Sequence, residues 1–227
     1  MYKIKDIINK VHCADCLGFM KTLPDNSVDL VITDPPYNQS YEYDNYKDSL
    51  SEKDYLELLS VIKRPAVVIH YPEQTINLLP KILGRCDEVV SWSYETRTKK
   101  HTRLISWWGC SPDFSKVKVP YAEATLKDKR NLKKLKDGRD LKDYWHIPYV
   151  NNMNKEKTNH PCQIPLEVME RIIKITTNEN DIILDPFLGS GTTAVACQNL
   201  KRNFIGIEIS EKYCKIARDR LRQQTLI

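Results

Sequence analysis

No apolar run in this sequence approaches the ~18 residues that cross a bilayer, so a membrane-spanning helix is excluded and a soluble, cytoplasmic protein is expected. The seven cysteines are an odd number, and no secretory leader is expected. A disulfide framework is therefore not expected, and a reducing cytosol fits better. Only Cys13 and Cys16 form a C-x-x-C, and no second pair stands at matching spacing. Ordinary thiols are expected there rather than a zinc site, and no metal is expected elsewhere. Internal repeats and low-complexity tracts are also missing.

What remains is 227 residues, enough for one α/β domain with a modest insertion and a real core. Charge is unevenly placed. Residues 93–158 hold 16 Lys and Arg against 8 Asp and Glu, whereas the rest of the chain holds 19 against 22. A basic segment set in a mildly acidic body points to a polyanion, although a solvated lysine-rich face is the commoner reason for any one charge run.

The chain is organised around Val28-Asp29-Leu30-Val31-Ile32-Thr33-Asp34-Pro35-Pro36-Tyr37. The apolar run is too short for a helix and rich in β-branched residues, which predicts a buried strand. Two prolines then force the chain out of the sheet as a stiff, extended loop. Asp34 is thereby set at the carboxyl end of a strand, where open α/β sheets bind ligands. Asp34 and the Pro35 carbonyl can accept the two hydrogens of an exocyclic amine while Tyr37 stacks on its ring. Taken alone, Asp-Pro-Pro-Tyr also reads as a turn.

Before this strand, Lys10–Cys16 predicts a short strand ending near Asp15, followed by a helical turn. Residues 38–49 are polar and tyrosine-rich, a loop expected to lie over whatever Asp34 binds. Beyond it come a helix over about 51–63 capped by Ser51, a strand at 66–70, a helix over 72–83 ending at Gly84, and a strand at 88–92. From Ser93 the character changes. Arg97, Lys99, Lys100 and Arg103 alternate with threonines and a histidine, a mixture suited to phosphates and bases. Trp107 and Trp108 follow, readable either as part of that surface or as core. Regular structure resumes near His160 with an amphipathic helix from Pro165.

A complete βαβ unit closes the chain: a strand at 181–185, a turn, a helix over 192–200, a strand at 203–208 and a helix over 211–222. In its turn, Asp185-Pro186-Phe187-Leu188-Gly189-Ser190-Gly191-Thr192-Thr193, two glycines let the backbone bend sharply and approach a ligand. The spacing is neither the dinucleotide fingerprint nor a phosphate loop. Glu208 ends the next strand, 17 residues after Gly191, where an acid can accept both hydroxyls of a ribose. Turn, helix and strand-end acid together favour a nucleoside-containing cofactor over a structural turn.

With these residues in view, the sequence resembles the amino-methylating, S-adenosylmethionine-dependent DNA methyltransferases. Asp34-Pro-Pro-Tyr37 matches their catalytic motif, Asp185–Thr193 their cofactor loop, and Ile205-Gly-Ile-Glu208 their ribose-binding strand. His160-Pro-Cys-Gln-Ile-Pro165 matches the segment leading into the helix before the cofactor loop. The order, catalytic motif then basic insert then cofactor motif, is that of the β group. The resemblance implies a Rossmann-like, doubly wound, mostly parallel sheet. Its halves would be 1–92, with the catalytic motif, and 159–227, with the cofactor loop, separated by a target-recognition insert at 93–158. It implies that Asp34, Pro35, Pro36 and Tyr37 form the catalytic motif. Phe187, Gly189, Ser190, Gly191 and Thr192 would surround the methionine part of S-adenosylmethionine, Glu208 its ribose, and Asp15 with Cys16 its adenine end. Asp34, Asp185, His160 and Gln163 would border the same pocket. One departure is Ile164, where the family often has Lys.

The reaction implied is transfer of a methyl group to the N6 of an adenine flipped out of double-stranded DNA, because Asp is the usual first residue of the motif in adenine enzymes. Cytosine-N4 methylation is the alternative, followed by RNA or protein methylation and by a non-catalytic DNA-binding protein. A homodimer and a cognate restriction endonuclease are further expectations.

Overall fold

The computed structural model describes residues 2–44, 46–95, 101–121, 123–127 and 138–224. Arg97, Lys99 and Lys100 lie outside the described residues. The strands are β1 (Lys10–Cys13), β2 (Leu30–Thr33), β3 (Ala66–His70), β4 (Glu88–Ser93), β5 (Thr102–Trp108), β6 (Lys118–Val119), β7 (Arg139–Asp140), β8 (Tyr144–His146), β9 (Ile182–Asp185) and β10 (Asn203–Glu208). The helices are α1 (Ile4–Ile7), α2 (Cys16–Met20), α3 (Glu52–Leu59), α4 (Pro72–Asn77), α5 (Leu79–Leu83), α6 (Glu123–Lys127), α7 (Leu166–Thr176), α8 (Thr192–Asn199) and α9 (Glu211–Gln224).

Eight strands form one sheet in the order β1-β10-β9-β2-β3-β5-β4-β8, and β6 pairs with β7 beside it. Every neighbouring pair in the sheet is parallel except β3 with β5 and β5 with β4, so β5 alone runs against the rest. The Rossmann-like, mostly parallel sheet expected from the sequence is present.

The strands form where the β-branched runs fall, and their alternating side chains feed two layers. Leu30, Ile32, Val67 and Ile69 pack with residues of α7, α8 and α9. Val31, Ala66 and Val68 pack with α2, α3 and α5 on the opposite face. Each such buried aliphatic side chain stabilises the fold by ~1.5–3 kcal/mol. The expected helix over 72–83 is broken in two at Leu78. Pro80 has no N–H to continue the first ladder, and Gly84 closes the second with φ 76°.

The change in composition at 93 falls inside a hairpin, for β5 and β8 are both strands of the main sheet. Trp107 and Trp108 are fully buried, and their indole N–H groups donate to Thr176 Oγ1 and Ser106 Oγ, both at 2.9 Å. They belong to the core.

From β2 the chain crosses to β3 on one side, and from β9 to β10 on the other, so connectivity reverses between β2 and β9. The crevice at such a reversal is where open α/β sheets bind ligands. Thr33 bridges it by donating to Asp185 Oδ1 at 2.7 Å. Because β5 is reversed, its beginning rather than its end lies on this rim, with Arg103 opposite Trp92 and Leu104 opposite His70.

Candidate active site

At the reversal a cavity opens, lined by Asp34 and Pro36 from the loop after β2 and by residues 185–190 from the loop after β9. Asp15, Cys16 and Glu208 close one end of it, and Tyr43, Tyr46, His160 and Tyr213 lie around it. Ten of the twelve cofactor-facing candidates, all but Gln163 and Gly191, line this one space.

The glycine turn is built as its sequence demands. Gly189 and Gly191 have φ of 54° and 84°, the left-handed region that costs other residues ~1–2 kcal/mol. A Cβ on Gly191 would lie 2.7 Å from that of Ala217 on α9, so this glycine sets the packing of the turn. Arg220 of α9 holds the turn from behind, donating to Ser190 O (2.9 Å), Ser190 Oγ (3.2 Å) and Thr192 Oγ1 (2.9 Å). Asp185 is buried at its base. One oxygen accepts from Thr33 Oγ1 and Phe187 N, the other from Thr193 Oγ1 at 2.6 Å. Burial pushes its carboxyl up to about 6 against these three donors. Asp185 therefore shapes the turn as well as lining the cavity.

Glu208 accepts from Gly189 N and Ser210 N, each at 2.8 Å, which fixes its carboxylate at the strand end beside the turn. Burial raises its pKa. Asp15 caps α2 by accepting from Gly18 N at 2.8 Å, and burial with the neighbouring Asp15 charge pushes the Cys16 thiol up to about 12. Cys13 is exposed and Cys16 buried; among the described residues no cluster of three or more metal-ligating side chains occurs.

His160 stands edge-on to Tyr213 at 4.5 Å, and burial drives its pKa down to about 4, leaving it neutral. Gln163 has another task. Its amide accepts from Thr158 N and Oγ1 and donates to Glu156 O, bracing the segment that carries His160. Ile164 puts an apolar wall on the cavity, and its carbonyl accepts from Thr192 Oγ1 at 3.2 Å.

The tyrosine-rich loop lies over the cavity. Asp48 draws it together by accepting from the N–H groups of Asn38, Gln39 and Tyr41 at 2.8, 2.8 and 3.1 Å. Ser210 Oγ ties it down by donating to Asp44 at 2.7 Å.

At the catalytic motif, Tyr37 is 3% exposed and packs against His70 and Tyr71, ring centroids 4.7 Å away in each case. His70 Nδ1 accepts from Tyr71 N, so its proton lies on Nε2, which bonds Tyr55 Oη at 2.7 Å. Tyr55 in turn donates to Pro36 O at 2.6 Å. That relay fixes the Pro-Pro turn and uses the Pro36 carbonyl. The Pro35 carbonyl accepts no hydrogen bond among the described residues. Asp34 Oδ1 accepts from the Tyr37 hydroxyl, and Oδ2 lies 3.7 Å from Arg103 Nη1. Burial pushes the Asp34 carboxyl up to about 6, with the Arg103 charge and the Tyr37 hydrogen bond pulling the other way.

Arg103, read from sequence with the nucleic-acid-contacting residues of the insert, is thus beside Asp34. Its side chain is only 13% exposed, among Tyr37, Tyr71, Trp92 and Tyr94. Sequence reasoning also passed over Arg220 and Ser210. Ser210 carries a signal, two residues past the strand-end acid; the two arginines carry none outside the fold.

A doubly wound sheet with one reversed strand, a glycine turn, a strand-end acid and an Asp-Pro-Pro-Tyr loop in one crevice defines a nucleoside-cofactor methyltransferase. A family model described as DNA methylase matches residues 64–219. The type II methyltransferase M.HpaI of Haemophilus parainfluenzae is 30% identical over 92% of this chain and 73% of its own length. DNA adenine methyltransferase YhdJ of Escherichia coli (strain K12) is 30% identical over 91% of this chain and 80% of its own. Among solved structures, the M1.HpyAVI–SAM complex superposes with a TM-score of 0.62 at 26% identity, covering 93% of this chain and 98% of that one. PvuII DNA methyltransferase (cytosine-N4-specific), 18% identical with a TM-score of 0.66 over 92% of this chain and 85% of its own, shares the fold. The chain belongs to the DNA methylase family and is an S-adenosylmethionine-dependent DNA methyltransferase.

Proposed function

We propose that this methyltransferase modifies the exocyclic N6 of adenine in double-stranded DNA, taking the base extrahelical to do so. The observation that carries the reading is the largely buried Asp34 acceptor on the wall of the cavity, next in the chain to the Pro35 carbonyl, free among the described residues, and bonded by the Tyr37 hydroxyl. The relative named as an adenine methyltransferase supports the choice of base.

The residues of the cavity suit S-adenosylmethionine. Gly189 lines the cavity where a side chain would crowd His160, Glu208 offers a fixed acceptor for ribose hydroxyls, and Asp15 and Cys16 close the end assigned to adenine. Phe187, Gly189, Ser190 and Thr192 would hold its methionine part. When bound, the cofactor supplies an electrophilic sulfonium methyl.

The N6 lone pair of adenine is delocalised into the ring, so the amine is a poor nucleophile. Asp34 and the Pro35 carbonyl accept its hydrogens and favour a pyramidal nitrogen, while Tyr37 holds the ring by stacking. Positioning and exclusion of water supply much of the rate, and the proton leaves after transfer. Inside a duplex the amine cannot reach this cavity, which is why the base must be flipped.

The basic 93–158 segment supplies the recognition region, the enzyme works in a prokaryotic or phage-encoded cytoplasm, and it acts as a homodimer beside a cognate restriction endonuclease. No helix among the described residues is long and apolar enough to cross a membrane.

The test is methyl transfer from labelled S-adenosylmethionine to unmethylated genomic DNA, with the product nucleosides identified by mass spectrometry. N6-methyladenine is expected. N4-methylcytosine would overturn the base, and label in RNA alone would overturn the substrate.

A further inference from the structure

The slot that the target base must enter is already filled. Tyr37 is 3% exposed, so no open face remains for a base to stack on. The guanidinium of Arg103 lies 4.8 Å from its ring centroid, and both Asp34 oxygens face donors, the Tyr37 hydroxyl on one and Arg103 on the other. A guanidinium is a planar N–C–N group with amine hydrogens at its edge. The amidine edge of adenine, N1–C6–N6, has the same planar shape and presents its two N6 hydrogens where the guanidinium presents those of one terminal nitrogen, with N1 an acceptor.

Arg103 fits this place poorly. Its ion pair with Asp34 is stretched to 3.7 Å, against ~2.7–2.9 Å for a charge-assisted hydrogen bond. Its Nε is buried and has no partner among the described residues. An arginine held for its own sake would have both oxygens of a carboxylate and its Nε satisfied. The walls of the slot are instead aromatic faces: Tyr71, Trp92 and Tyr94 at 5.5–5.7 Å in addition to Tyr37. Such aromatic walls stack on a planar guanidinium and on a neutral planar ring alike, so the slot can exchange one for the other.

We propose that Arg103 is a placeholder for the target base, filling the slot between Asp34 and Tyr37 until the extruded base displaces it. The inference rests on the reaction assigned above. In the DNA-free enzyme Arg103 keeps water and stray amines off Asp34. Its start-of-strand position on the reversed β5 lets the long side chain swing out over the rim without disturbing the sheet, and the freed cation then faces the nucleic acid.

Adenine, and cytosine in parallel, are titrated into wild type, Arg103→Ala and Arg103→Gln with saturating S-adenosylhomocysteine present, which blocks the adenosyl end of the cavity and reports folding. Arg103→Ala is expected to bind adenine at least tenfold more tightly than wild type, with Arg103→Gln in the same direction. Millimolar methylguanidinium should return the alanine variant towards wild-type affinity and leave wild type unchanged. Unchanged or weaker binding of both bases by both variants would overturn the proposal, because structural damage or a lost base contact gives that result. Tightening for cytosine alone would keep the placeholder and overturn the base. Failure of wild type to methylate DNA would overturn the reaction, while the binding comparison still decides what Arg103 does.

Discussion

The mechanism proposed above rests on one carboxylate, Asp34, whose job there is to accept a hydrogen bond. Removing it as Asp34→Ala should lower kcat by about 10²–10³-fold or more, the scale seen for a lost donor or acceptor at a reacting centre. Cofactor affinity should stay within a few-fold, since the turn and Glu208 are untouched; titration calorimetry beside turnover checks both halves. The same residue sets a pH dependence. Burial lifts its carboxyl to about 6, and the anion is the stronger acceptor for one amine hydrogen, the other going to the Pro35 carbonyl. Thus kcat/KM, which reports the free enzyme, should be flat above about pH 6 and fall tenfold per unit below it. A pH profile with no acid limb near 6 would count against Asp34 as the group that must be ionised.

Among the elements, the turn between β9 and α8 is the most exacting. Gly191→Ala meets both a left-handed φ and a Cβ at 2.7 Å from Ala217, so α9 has to shift. Strain and overpacking together should destabilise the protein by ~3 kcal/mol, read as a lower midpoint in urea. This turn was legible from sequence because strand, glycines, helix and strand-end acid follow one another along the chain. The Asp34 strand was legible for the same local reason: a β-branched run stops at two prolines. Arg103 was not. Its neighbours Thr102 and His101 are as polar as those of any surface segment, and only the reversed pairing of β5 with β3 and β4 brings it to Asp34. Trp107 and Trp108 stayed ambiguous for a related reason, since a hairpin buried inside the sheet and an aromatic contact surface read alike in one dimension. Arg220 reaches the glycine turn only because α9 packs back over it.

For the molecule as a whole, charge separates the work. The body is mildly acidic and the 93–158 segment carries the basic excess, so non-specific attraction to a polyanion is gathered on one part of the chain. Binding to DNA should weaken steeply with salt, a protein with 6–10 phosphate contacts losing about 10³–10⁵ in affinity between 50 and 200 mM. Fluorescence anisotropy across that range measures the slope. Replacing Arg97, Lys99 and Lys100 together by Gln should flatten it, while cofactor affinity holds.

The reversed strand has a consequence for how such a protein changes over time. β4 ends and β5 begins on the rim of the crevice, so the chain joining them departs from the reaction centre and comes back to it. A lineage can therefore alter the residues between Ser93 and Thr102 while inheriting the strands of the sheet unchanged.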